Sequence, residues 1–269
     1  MTGDGVNDAP ALKRAEVGVA MGMKGTETAK QAAEMVLADD NFATIVAAVR
    51  EGRVIFDNLR KVIAWTLPTN GGEALAILAA LLFGLALPVT AVQILWINMV
   101  TAVALGLTLA FEPAEPGVMR RAPRGRSAPL LDGFLLWRVA FVSVLVVMAA
   151  FGVFYASQAA GYSLELSRTL VVNTIVVLEI FYLFAVRYVG GSSLSWQGVL
   201  GTPAVLIGVG CVVLAQLAFT YLPALQVLFR TEAVSLRDGL LVIGIGVLLL
   251  AVLEVEKWAF RRLGRGRSG

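Results

Sequence analysis

The 269-residue chain has no histidine and a single cysteine. The first absence removes the usual material for zinc sites and for imidazole acid–base catalysis. The second excludes an intrachain disulfide and argues against a paired-thiolate path for a soft metal such as copper. Charge is scarce as well: Asp, Glu, Lys and Arg make up 15% of the residues and hydrophobic ones 58%, where a soluble domain has roughly 25% and 45–50%. With a mean hydropathy of +0.80, an ordinary soluble protein is excluded. Most of the chain belongs in a membrane. The lone Cys211 lies inside an apolar run and reads as a small packing residue. Met1 opens a polar, glycine-rich stretch, so no signal peptide is expected there.

Two regions differ in texture. Residues 1–61 are mixed, with short apolar runs at Val17–Met21 and Met35–Ala38 between helical segments, and read as the α/β end of a soluble domain. Phe42, Ile45, Val46, Val49 and Phe56 then recur near helical spacing, which predicts a stalk helix running toward the membrane. From Val62 onward, six apolar segments reach the roughly 20 residues needed to cross a bilayer: 62–84, 88–111, 134–156, 167–186, 199–222 and 237–257. The fold expected is therefore a mostly α membrane protein, six transmembrane helices preceded by a partial α/β segment. Its expected divisions are 1–61, 62–258 and a basic tail, 259–269, that meets anionic lipid headgroups. Of the 22 Lys and Arg residues, 19 fall on one side of these spans and only Arg168, Arg230 and Arg237 on the other. The positive-inside bias then places both termini in the cytoplasm.

The chain opens Thr2-Gly3-Asp4-Gly5-Val6-Asn7-Asp8-Ala9-Pro10-Ala11-Leu12. Gly3 and Gly5 allow a tight turn whose backbone approaches a phosphate. Asp4 and Asp8 offer hard oxygen ligands for magnesium, and Asn7 adds a neutral donor. Taken as bare spacing, the string reads equally as a glycine turn with helix-capping aspartates.

Within the apolar half, a carboxylate near the middle of a span costs about 2.5–3.5 kcal/mol on insertion scales. Glu73 and Glu179 both sit there. The plainer reading is an interhelical hydrogen bond. The neighbours favour a cation site instead: Asn70 lies three residues before Glu73, and Asn98 three before Thr101. Pro68 cannot donate to the Ala64 carbonyl, which leaves an oxygen free, and Gly71-Gly72 further disturb the helix. Carboxylate, amide, hydroxyl and carbonyl oxygens are the ligand set of a hard cation. Gln93, Asn173 and Gln216 read as helix–helix hydrogen-bond partners. Arg138, Glu254, Glu256 and Lys257 read as snorkelling residues at span ends, and Trp65, Trp137 and Trp258 as interfacial anchors.

The opening string resembles the hinge motif of P-type ATPases, which closes a phosphorylation domain of the haloacid-dehalogenase-like group. The likeness continues through Lys13–Gly22 and Val36–Phe42. Pro68-Thr69-Asn70-Gly71-Gly72-Glu73 and Gln93–Thr101 resemble the fifth and sixth membrane helices of calcium-type pumps, and Glu179 in Val177–Phe181 their eighth-helix glutamate. Bacterial cation-transporting ATPases, including the mycobacterial F-type subgroup, are similar over essentially the whole chain. The resemblance implies that Asp4, Asn7 and Asp8 are catalytic, with Asp4 and Asp8 on magnesium and Thr2, Gly3 and Gly5 forming the phosphate loop. It implies that Asn70, Glu73, Asn98, Thr101 and Glu179 hold the transported cation, calcium or a similar hard ion. It also implies an ATP-driven pump of the cell membrane. Ala102 stands where the calcium pumps have an aspartate, which suggests one ion per cycle.

The family's phosphorylated aspartate in Asp-Lys-Thr-Gly-Thr, its nucleotide domain, its Thr-Gly-Glu-Ser motif and its first four spans have no counterpart in the sequence. The chain therefore resembles a C-terminal fragment, expected to be inactive without the other half of the pump and to carry an unstable N-terminal segment. The transported cation, the bilayer and that missing half are the partners expected, and no nucleic acid. The competing readings are a non-catalytic membrane subunit or regulator, and a degenerate pump remnant.

Overall fold

The computed structural model describes residues 1–115, 117–125, 129–187 and 202–262, which fall into two compact units. The first comprises Met1–Phe56 with Ala114–Pro123. Strands β1 (Thr2–Gly3), β2 (Val19–Met21) and β3 (Met35–Leu37) form a parallel sheet in that order, with Thr2 opposite Val19 and Val19 opposite Met35. Parallel neighbours need crossovers, and helices α1 (Ala9–Arg14) and α2 (Glu27–Ala32) supply them. Leu12, Ala20 and Ala29 form the small buried core, with Ala32 and Ala33 packed against it. Thr26 caps α2 by accepting from the Ala29 amide at 3.3 Å. Both expected apolar runs are strands, and the α/β pattern of this segment is as read. In the same unit Arg53 donates to the carbonyls of Val118 and Arg121, each at 2.8 Å.

Helix α3 runs unbroken from Phe42 to Leu82, with Pro68 inside it, and contributes residues to both units. The second unit adds α4 (Ala91–Thr101), a π-helical turn (Ala102–Gly106), α5 (Leu107–Ala110), α6 (Gly133–Ala159) and α7 (Leu164–Arg187). It ends with α8 (Pro203–Tyr221), α9 (Pro223–Phe229) and α10 (Leu236–Arg262). Thr90 and Gln93 start α4 as a reciprocal capping box. Helix α7 is the axis of the bundle: 72% of its apolar window is buried, against 28–39% for the other spans.

Among the described residues five helices are long and apolar enough to cross a membrane: Ala91–Ala110, Gly133–Ala159, Leu164–Arg187, Pro203–Tyr221 and Leu236–Phe260. The span expected at 62–84 is helical, as the end of α3, but is not among the five. Thr69, Asn70 and Glu73 with Pro68, Gly71 and Gly72 dilute its apolar stretch. Residues 199–201 of the expected fifth span and 263–269 of the basic tail lie outside the described residues. The tail's expected start at 259 falls inside α10.

Several side chains depart from expectation. Cys211 is exposed on α8 rather than packed. Arg138, Glu256 and Lys257 do not snorkel but are buried. Arg138 is ion-paired with Glu256. Lys257 donates to the Ala185 carbonyl at 2.8 Å and pairs with Glu254 at 2.9 Å. A charge that finds a partner on the facing helix need not stretch to the interface. Arg187 and Glu112 form a third buried pair at 2.6 Å, and the Asn58 amide donates to the Glu112 carbonyl at 2.8 Å. Gln93, Asn173 and Gln216 join helices as read: Gln216 donates to Asn173 at 3.2 Å and accepts from Trp96 at 3.3 Å, and Gln93 donates to the Phe229 carbonyl at 3.1 Å.

Candidate functional site

Four of the five residues expected around a cation meet in the second unit. Glu73 on α3 and Glu179 on α7 are each 3% exposed, and their carboxyls are close enough to interact electrostatically. The Asn98 amide donates to Glu73 Oε2 at 2.6 Å, and to the Ile94 carbonyl at 3.2 Å, which fixes its rotamer. Thr101 donates its hydroxyl to the Ile97 carbonyl at 2.9 Å and lies on the side of α4 near Glu179. One oxygen of each acid, Glu73 Oε1 and Glu179 Oε2, is buried without a hydrogen-bond partner. Such orphaned oxygens are expensive, and a proton or a bound cation is what satisfies a buried carboxyl oxygen. Among the described residues no cluster of three or more His, Cys, Asp or Glu exists, so the site offers two carboxyls completed by neutral oxygens.

Asn70 is not brought to the pair: its side chain is exposed. The buried face of α3 follows Pro68, Thr69, Gly72, Glu73, Ala76 and Ala80, and a residue three before Glu73 sits about 60° off that line at 3.6 residues per turn. The glycines have a different task from the one expected. A Cβ on Gly71 would meet Ser143 Oγ at 2.6 Å, and one on Gly72 would meet Val146 at 2.7 Å. They let α6 press against α3.

A second ring of donors, unread in the sequence, holds the distorted backbone. The Ala64 carbonyl that Pro68 leaves without its helical partner accepts the Tyr182 hydroxyl at 2.7 Å, which takes up one of its two lone pairs. Ser143 donates to the Pro68 carbonyl at 2.9 Å and Thr69 to the Trp65 carbonyl at 3.1 Å. Trp65 is 1% exposed and donates Nε1 to the Glu179 carbonyl at 3.1 Å; it is a core residue beside the site, not an interfacial anchor. Trp137 and Trp258 stay about half exposed. The signal for this ring was Pro68, which announces an orphaned carbonyl without naming its donor.

In the first unit β1, Thr2–Gly3, runs at its carboxyl end into a loop that carries Asp4, Gly5, Asn7 and Asp8 to α1, the usual ligand position of an open α/β sheet. Asp8 Oδ2 accepts the amides of Asp4 and Gly5, each at 3.0 Å, and a Cβ on Gly3 would meet Asp8 Cβ at 2.6 Å. Asp8 therefore shapes the turn, and Gly3 makes room for it. Asp4 and Asn7 are exposed.

Comparison with known proteins agrees with this architecture. Residues 86–259, more than half of the chain, match the family "Cation transporting ATPase, C-terminus". The probable cation-transporting ATPase F of Mycobacterium tuberculosis is 52% identical over 257 residues, which cover 95% of this chain and 28% of that protein. The cation-transporting ATPase pma1 of Synechocystis is 43% identical, over 86% of this chain and 26% of that protein. The calcium-transporting ATPase of Bacillus subtilis is 38% identical, over 92% and 28%. The chain thus spans little more than a quarter of the length of these relatives. On those matches the chain belongs to the P-type cation-transporting ATPases and carries their C-terminal, multi-pass membrane region.

Proposed function

We propose that this region holds one hard cation, calcium by preference, between Glu73, Asn98, Thr101 and Glu179, and passes it across the cell membrane when joined to the ATP-using half of a pump. The observation that carries the reading is the pair of buried carboxyl oxygens, one on α3 and one on α7, that no protein group satisfies. Hard oxygens in this number suit a calcium-like ion that completes its shell with carbonyls and water. Two carboxylates balance one divalent charge, and Ala102, exposed at the start of the π-turn, adds no third. The relatives are named for cation or calcium transport.

In this reading the end of α3 is a sixth span, both termini are cytoplasmic, and the first unit is the end of a haloacid-dehalogenase-like phosphorylation domain. Asp4 and Asp8 fit magnesium: Asp4 is exposed, and the two amide bonds to Asp8 both use Oδ2 rather than Oδ1. Magnesium bound there would neutralise phosphate oxygens. Asp8 holds the turn that presents Asp4, with Asn7 beside it, and α3, shared by the two units, is the coupling element. The chain alone does not hydrolyse ATP.

The test joins the chain to the preceding portion of a relative and measures ATPase stimulation by calcium, manganese, magnesium, sodium and potassium. Calcium stimulation that disappears in Glu73→Gln supports the reading. Equal stimulation in wild type and variant removes Glu73 from the site.

A further inference from the structure

The α6–α10 seam has no part in the cation site. Where α6 begins and α10 ends, the two helices touch through rings: Phe134 lies 5.3 Å and Trp137 6.3 Å from Phe260. The guanidinium of Arg262 lies 4.2 Å above the Trp258 ring, and Trp137 and Trp258 face outward. Farther along, the helices part and leave a groove of about 410 Å³, floored by Leu178 of α7. Its walls include Met148, Gly152 and Ala156 of α6, and Leu248 and Val252 of α10. Every residue lining it is apolar, and both helices are membrane-crossing ones.

Lining, length and depth point to the occupant. On α6 the lining runs from Leu145 to Ala156, eleven steps of ~1.5 Å or about 16 Å. A wholly apolar groove of that length between two membrane-crossing helices suits an extended hydrocarbon chain. Met148 and Leu248, near its middle, lie eleven and ten residues from Trp137 and Trp258, about 15 Å along a helix, or half of a ~30 Å hydrocarbon core. The ring cluster therefore sits at headgroup depth, where Trp concentrates. Arg262 adds positive charge there, which favours an anionic headgroup.

We propose that the α6–α10 seam binds one anionic phospholipid, an acyl chain in the groove and its phosphate at Arg262 beside Trp258. Apolar contact with the groove replaces equal contact with other lipid tails, so the chain seat supplies fit and the headgroup supplies preference.

The test purifies the whole chain in mild detergent from membranes of equal phosphatidylglycerol and phosphatidylcholine, and counts retained lipids by native mass spectrometry. One phosphatidylglycerol per chain is expected, favoured about fivefold over phosphatidylcholine, the effect of one basic residue at the surface. A Cβ on Gly152 meets nothing within 4 Å, so Gly152→Leu fills the groove without straining the helix and should lose the lipid at unchanged helicity. Arg262→Gln should keep a lipid and lose the preference for phosphatidylglycerol. Equal retention in Gly152→Leu, a preference unchanged in Arg262→Gln, or a polypeptide in place of lipid on the wild-type seam overturns the proposal.

Discussion

Tyr182 donates its hydroxyl to the carbonyl of Ala64 at 2.7 Å, across from α7 to α3. That carbonyl is the one whose helical donor is missing because residue 68 is proline. The bond therefore replaces a backbone bond rather than adding to a complete set. Tyr182→Phe should leave the ring packing intact and lower stability by about 0.6–1.7 kcal/mol, the average and upper range measured for side-chain hydrogen bonds between membrane helices. Unfolding in mixed micelles measures it. A change below the lower figure would mean that water already serves Ala64.

Asn98 is the group that fixes Glu73, through a bond of 2.6 Å made while the same amide is tied to the Ile94 carbonyl. Under the proposed site, Asn98→Ala removes one neutral ligand and lets the Glu73 carboxyl rotate. Partners that only orient metal ligands are typically worth 10–100-fold in affinity, so losing both that role and a ligand oxygen should weaken calcium binding to the reconstituted pump by at least about that factor. Asn98→Asp should keep the geometry and add a charge. If both variants bind calcium as wild type does, Asn98 has no place in the site.

The sequence carried the candidate site's acids plainly, because a carboxylate inside a largely apolar segment is costly whatever the fold. Glu73 and Glu179 needed no structure to be singled out. It also carried the two later strands, Val19–Met21 and Met35–Leu37, since short apolar runs between helical segments leave few alternatives. What it could not carry was the partner of each group. Arg138 and Lys257 sit near span ends, where snorkelling is the ordinary outcome, and only the packing of α6, α7 and α10 shows that Glu256 and the Ala185 carbonyl are closer than water. Trp65 was misread for the same reason: one-dimensional position gives depth and not direction. Asn70 shows the limit of spacing, because three residues from a buried acid can still mean the exposed edge of the helix.

The buried Arg138–Glu256 pair gives a prediction whose sign differs between single and double variants. Arg138 is 1% exposed, and its Nε and Nη1 have no hydrogen-bond partner, nor does Glu256 Oε1. Removing one member strands the other charge, a loss of about 3–5 kcal/mol in buried pairs. Replacing both with apolar residues of similar size is often neutral or stabilising. Glu256→Leu should therefore unfold well below wild type in micelles, and Arg138→Leu with Glu256→Leu should recover most of the loss. A double variant as unstable as the two losses added would show that the pair holds the helix ends by more than mutual neutralisation.

Asp40 supplies a pH dependence in the first unit. Its carboxylate accepts the amides of Met23 at 2.9 Å, Lys24 at 2.9 Å and Gly22 at 2.7 Å. The Met23 bond leads the set that holds its pKa below the ordinary carboxylate value, against a smaller opposing effect of desolvation. Asp39 is lowered too, first by the Thr44 hydroxyl at 2.6 Å and then by the Asn41 amide. A depressed folded value means that the folded chain binds the proton less readily than the unfolded one. The contribution is therefore complete above the unfolded value of about 3.9 and disappears as pH falls through the lower, folded one. Amide protection at Gly22, Met23 and Lys24, corrected for intrinsic exchange, should fall over that acid window and stay flat from there to neutrality. Asp40→Asn keeps one acceptor oxygen and removes the titration, so its protection should be lower at neutral pH and insensitive to acid. Protection that instead declines between pH 5 and 7 would place control of this turn in another group.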